Sequence, residues 1–187
     1  MALPTREQAL DFLKQKLKTP NLVKHCLASE AIMRALARRL GEDEELWGLL
    51  GLLHDVDLDE VGADPKRHGL VAADWLREMG FPEEALQALK AHNGDELGVE
   101  CKARLDYALS AAETLTGMIV AMALVLPSKK LADVKPKSIV KRMDEKRFAA
   151  GVRRDRIMLC ERLGLPLQDF VALGVSAMQE ISDQLGL

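Results

Sequence analysis

EELWGLLGLLHD, residues 44–55, is the most informative run in the chain. Its two glutamates favour a helix N-terminus, where the peptide dipole is positive. The LWGLLGLL that follows is apolar on every face, which predicts a helix buried nearly all round. That helix ends on His54 and Asp55. An ionisable pair at the end of an apolar helix is costly unless something compensates it. A divalent cation does so, because neutral imidazole donates a lone pair and carboxylate supplies charge. Neighbouring helical residues point about 100° apart, so the two side chains can meet a cation lodged at the helix end, though not by pointing in parallel. Taken alone, the pair reads more simply as a cationic helix C-cap followed by a turn aspartate.

Outward from this run the apolar residues recur at three- and four-residue spacing, the helical period, and no strand is predicted. A first helix is expected from Thr5, capped through Gln8, to Lys18 ahead of Pro20. A second runs from Asn21 to Gly41, with Leu22, Cys26, Met33, Leu36 and Leu40 along one stripe, His25 beside it, and Gly41 as the left-handed closing residue. Further helices are expected over Arg67–Met79, opened by His68, and Glu83–Ala91, closed by His92. A long one spans Glu100–Leu126, and a basic loop and helix cover Pro127–Lys146. Helices over Phe148–Leu163 and Pro166–Leu185 complete the chain. The stretch GMIVAMALVL is too short for a membrane span, and extending it takes in Glu113, so a buried central helix is expected.

The 187 residues suit one domain, and 48% hydrophobic with 29% charged residues is a globular balance. A formal net charge of -3 gives the chain as a whole no electrostatic reason to bind a nucleic acid polymer or a membrane. Cys26, Cys101 and Cys160 show no paired spacing, which points to a reducing cytoplasm, and the N-terminus lacks the pattern of a secretory signal. Cys26 reads as a small buried residue.

The order His25, His54-Asp55, His68, His92 and then an acid in a long apolar helix, together with LLGLLHD, resembles the HD-domain metal phosphohydrolase superfamily. The resemblance spans residues 21–121, the expected metal-binding core, with 127–187 as C-terminal helices of the same domain. It implies an all-α, single-domain helical bundle. HGLVAADWLREMGFPEEALQALKAHNGD is similar to the two-histidine segment of small dinuclear members, including bacterial diadenosine tetraphosphate hydrolases. The stretch from Leu115 to Ile157 resembles the C-terminal part of an uncharacterised group of small bacterial HD-domain hydrolases. Carried over, the pattern makes His25, His54 and Asp55 ligands of one metal, with Asp55 bridging to a second held by His68 and His92. On their own, His68 reads as an exposed helix-start residue and His92 as a helix C-cap.

The family's last ligand is an aspartate, whereas LDYALSAAETLTG aligns Glu113 there, with the same oxygen donors on a longer side chain. Asp106 competes, but lies roughly 10 Å back along the helix axis. Lys129, Lys130, Lys137, Lys141 and Arg142 gather positive charge, with Lys129, Lys130 and Lys141 the expected phosphate-holding residues, against the plainer reading of a solvated face. Asp57 and Asp59 read either as groups orienting a ligand or water, or as turn residues.

The resemblance implies metal-dependent phosphoester hydrolysis on a nucleotide or other small phosphorylated metabolite, with His54 and Asp55 at its heart and one or two divalent ions. Iron, manganese, magnesium, cobalt, nickel and zinc are not distinguished, nor is a monomer from a homodimer. Two rival readings are a di-iron oxygenase of the same superfamily and a non-catalytic nucleotide- or partner-binding protein.

Overall fold

A computed structural model describes residues 2–62 and 64–187, and among them only helices, turns and coil occur. The first helix, α1 (Arg6–Lys16), starts in a capping box: the Thr5 hydroxyl accepts from Gln8 N and the Gln8 side chain accepts from Thr5 N. Helix α2 (Pro20–Leu40) closes on Gly41 at φ +73°. Its entrance is capped from afar, because Asp59 Oδ2 accepts from the Lys18 and Thr19 amides and Oδ1 from the Thr19 hydroxyl. Asp59 is therefore a structural cap and the alternative role of orienting a ligand falls away.

Helix α3 (Glu44–Leu53) begins at Asp43, whose carboxylate accepts from Leu46 N. Every residue from Leu46 to Leu53 is buried, as the all-round apolar pattern predicts. It packs along α2 so closely that a Cβ on Gly51 would stand 2.9 Å from both Ser29 O and Met33 Cγ. At this point glycine is required by proximity. On the same interface the buried Glu30 carboxylate accepts from Arg6 and Arg34, so its charge is paired on both sides.

Next come the short α4 (Leu58–Val61) and the contacting pair α5 (Leu70–Glu78) and α6 (Glu83–His92), followed by the single turn α7 (Gly94–Leu97) and the long α8 (Arg104–Val125). By length and composition α8 passes as a membrane span, yet most of it is buried against α2, α6 and α11 (Leu167–Glu180). Of its residues, fourteen are buried, which makes it the central strut of the core. A single-turn 3-10 element (Leu131–Asp133), α9 (Pro136–Arg142), α10 (Arg154–Ile157) running into a 3-10 segment (Met158–Leu163), and α12 (Ser182–Leu185) complete the fold. The apolar core reaches from Ala9 to Leu185.

Several expected boundaries are corrected. The helix expected from Arg67 starts at Leu70, because Gly69 at φ +84° and the Asp57 carboxylate, which accepts from Gly69 N and Ala72 N, define a later cap. The long helix starts at Arg104, where Asp106 Oδ2 accepts from Lys102 N and Ala103 N. That cap also removes Asp106 from contention as a metal ligand. No regular helix covers Phe148–Leu163: the Arg154 guanidinium donates to the Glu145, Phe148, Ala149 and Val152 carbonyls, holding residues 145–152 as turns. The last expected helix breaks at Ile181.

Replacing Gly51 by alanine should cost about 1–3 kcal/mol, the usual cost of forcing an extra carbon into a packed interface. In urea the expected sign is a lower midpoint with an unchanged slope.

Candidate metal centre

Four helical segments deliver the chemistry. His25 stands one and a half turns into α2, His54 is the C-cap of α3 with Asp55 next, His68 lies in the turn before α5, and His92 ends α6. Each imidazole is held by its Nδ1 side. His54 Nδ1 pairs with Gly51 O at 2.9 Å, His92 Nδ1 with Leu89 O, His25 Nδ1 with the Thr116 hydroxyl at 2.9 Å, and His68 Nδ1 with Asp57 Oδ1 at 2.8 Å. Those partners fix the ring planes and leave every Nε2 facing inward.

The four inward nitrogens form two pairs around one carboxylate. His25 Nε2 lies 3.1 Å from His54 Nε2, and both face Asp55 Oδ2 at 3.5 and 3.4 Å. His68 Nε2 lies 3.0 Å from His92 Nε2, and both face Asp55 Oδ1 at 3.3 and 3.5 Å. Two donor triads result, His25/His54/Asp55 and Asp55/His68/His92, each compact enough for one ion. Nitrogen and oxygen donors about 2.1 Å from a shared cation, at right to tetrahedral angles, stand roughly 3.0–3.4 Å apart, so the donor set fits. Two neutral imidazoles aimed at each other through Nε2 also need a proton or a cation between them.

Electrostatics separates the two halves. Burial drives the His54 imidazole down to about 3, which keeps it neutral and ready to donate its lone pair. Burial also pulls His68 downward, but hydrogen bonds to Asp55 and Asp57 outweigh it and raise that imidazole to about 9. Burial pushes the Asp55 carboxyl up, and the surrounding histidines bring it well below the usual carboxylate range. Asp57 is fully buried, and its carboxylate accepts from the amides at the start of α5 and from His68 Nδ1, which fixes that ring.

Glu113 lines the same cavity as His25 and His92, an opening of about 280 Å³, but its oxygens belong to neither triad. One of them is hydrogen-bonded by the Thr114 hydroxyl, and withdrawal from solvent raises its carboxyl. The three lysines expected to hold phosphate are elsewhere. Lys129 and Lys130 follow the C-terminal end of α8, and Val125 alone is about 18 Å along the axis from Glu113. Lys141 lines a separate cavity between α9 and α11. The basic side chains on the Glu113 cavity are instead Arg153 and Arg156. Arg156 donates to Ala91 O and His92 O and pairs with Asp95 at 3.0 Å, where Arg153 also pairs at 2.7 Å. Their signal in the sequence is the run RRDR just after Gly151, which spacing alone does not connect to His92.

Metal binding through His68 Nε2 has to displace the proton that this imidazole carries below about pH 9. Calorimetric titration with a divalent metal at pH 7, in buffers of different ionisation enthalpy, should therefore register close to one proton released. Affinity should rise with pH between 6 and 8, and the proton release should vanish in His68→Gln. Asp57→Asn should weaken binding at this half of the centre about 10- to 100-fold, as loss of an orienting partner does.

The HD domain family matches residues 22–145. An uncharacterized protein of Methanocaldococcus jannaschii is 38% identical over 93 residues, 47% of this chain and 53% of that protein. Ribonuclease Y of Desulfotalea psychrophila is 29% identical over 97 residues, 52% of this chain and 18% of the ribonuclease. Ribonuclease Y of Desulforudis audaxviator is 35% identical over 78 residues, 41% of this chain and 15% of the relative. The chain thus matches about half the length of the archaeal protein and less than a fifth of the ribonucleases. No solved structure matches it.

Proposed function

The chain belongs to the HD domain family, and from that premise we propose that it hydrolyses a phosphoester on a nucleotide or another small phosphorylated metabolite, using divalent metal at the two triads. One observation carries the reading: a single buried carboxylate, Asp55, faces one imidazole pair with each oxygen. His25, His54 and Asp55 would hold one ion, and Asp55, His68 and His92 the other. Such ions, when bound, polarise phosphoryl oxygens and bring the pKa of a bound water to near neutrality.

The chain's own side chains supply the rest. Arg153 and Arg156 present guanidinium donors to the cavity beside His92 and Glu113, matched to phosphate oxygens by charge and planarity. Asp95 holds both in place. Glu113, across from His25, is the proposed additional acid of the centre, offsetting cationic charge that Asp55 alone does not balance. No cysteine nucleophile is called on: Cys26 is buried beside Asp55, and burial pushes its thiol well up. The cavity of about 280 Å³ is closer in size to a small phosphorylated molecule than to a polymer groove. Ribonuclease Y among the relatives makes an oligoribonucleotide the necessary comparison substrate.

Elemental analysis of the purified protein should give one to two equivalents of metal, and a panel of mono- and dinucleotides, small phosphoesters and an oligoribonucleotide should show phosphate release or cleavage from a small substrate. Asp55→Ala should lose both ions and bring turnover to background. Glu113→Asp should keep more activity than Glu113→Ala. Oxygen consumption on iron without phosphate release would instead mean an oxygenase. Metal-independent nucleotide binding without turnover would mean a binding protein.

A further inference from the structure

Two cavities meet at the metal centre. Beside the one over Glu113 lies a second of about 370 Å³, walled by Ala28, Val120, Leu124, Leu185 and Leu187, and reached also by Asn21 and Lys24. His25, Thr116 and Gly117 line both. The polar capacity of the shared wall is already committed, since the Thr116 hydroxyl pairs with His25 Nδ1 and donates to Glu113 O. What remains is largely aliphatic, and Leu124 is among the few large apolar side chains that stand half exposed.

Gly117 is the saddle between the chambers. It sits in the middle of α8, where glycine is the least favourable residue short of proline, and it is exposed. Nothing in the packing demands the missing side chain as it does at Gly51: a Cβ would meet only Val152 Cγ2, at 3.2 Å. The backbone is bare where a molecule passing from one chamber to the other would cross the helix.

We infer that the substrate straddles Gly117, with its phosphoryl group at the metal centre and an apolar organic group in the aliphatic chamber. This rests on the phosphohydrolase reading and narrows it: away from nucleotides, which are esters of a sugar, and toward small phosphoesters of apolar alcohols. Hydroxyls of a polyol set against Ala28, Val120 and Leu185 would lose their water, and only Asn21 and Lys24 on this chamber could replace part of it. In the reaction the P–O bond to the alcohol breaks and a P–O bond to the water oxygen forms. One water proton ends on the departing alcohol oxygen and the other stays with the phosphate.

The metal-loaded 187-residue chain titrated with phenylphosphonate and with methylphosphonate tests the assignment without turnover. The aromatic ligand should bind at least tenfold more tightly, and hexyl phosphate, whose alcohol departs no more readily than glycerol, should be hydrolysed in preference to glycerol 1-phosphate. Gly117→Val, which blocks the saddle, and Leu124→Asp, a change at an exposed position, should each bring the affinity ratio below threefold. A ratio near one in the wild type, with methylphosphonate still bound, overturns the straddling arrangement and leaves the phosphohydrolase reading standing. A large ratio that persists in both variants puts the apolar group elsewhere and also overturns it. Binding of neither phosphonate overturns both readings. A ratio that depends on protein concentration assigns the aliphatic chamber to a second copy of the chain and overturns the proposal.

Discussion

A buried carboxylate shared by four imidazoles governs this molecule. Asp55 has lost its water and compensates through His25 and His54 on one oxygen and His68 and His92 on the other. To bring four rings from four separate segments to one group, the helices must be placed to within a fraction of an ångström, and the fold is organised accordingly. Helix α3 can deliver His54 and Asp55 to the centre only because Gly51 lets it lie against the α2 backbone, and the Gly51 carbonyl then fixes the His54 ring one turn later. Packing and chemistry meet in that one residue.

The supporting groups show the same economy of means. Asp57 spends its carboxylate on the α5 amides and on His68 Nδ1, so the helix start and the ring orientation depend on one buried side chain. Thr116 links α8 to His25. Arg156 ties the α10 segment to the carbonyls at the end of α6, next to His92. Loops that carry no ligand themselves are thereby fastened to the residues that do.

Much of this was legible in the sequence because the signals are local. The capping box at Thr5, the Gly41 helix stop and the fully apolar α3 depend on neighbours within a few positions, and they predict what is observed. The grouping of His25, His54-Asp55, His68 and His92 was legible only through a family resemblance, since no spacing rule joins residues 25 and 92. What escaped depends on contacts distant in the chain. Arg153 and Arg156 reach the cavity through the turns that Arg154 holds, whereas the lysines chosen for their density of charge fall beyond the end of α8. Asp59 looks like one more acid near the site, but it is consumed by the Lys18 and Thr19 amides, which only the folded chain brings to it.

The two halves of the centre differ in how they are attached. His25 and His54 are rooted in α2 and α3, the most deeply packed pair, while His68 and His92 both belong to the segment that runs from the turn before α5 to the end of α6, closed on itself by the Asn93 side chain donating to the Pro65 and His68 carbonyls. That segment is nevertheless built into the core: α6 lies against α8, and Ala72, Leu76, Leu86 and Leu89 are fully buried. A change that loosens the His68–His92 half therefore also loosens the wall that α6 gives to α8, so the two half-sites share one mechanical fate.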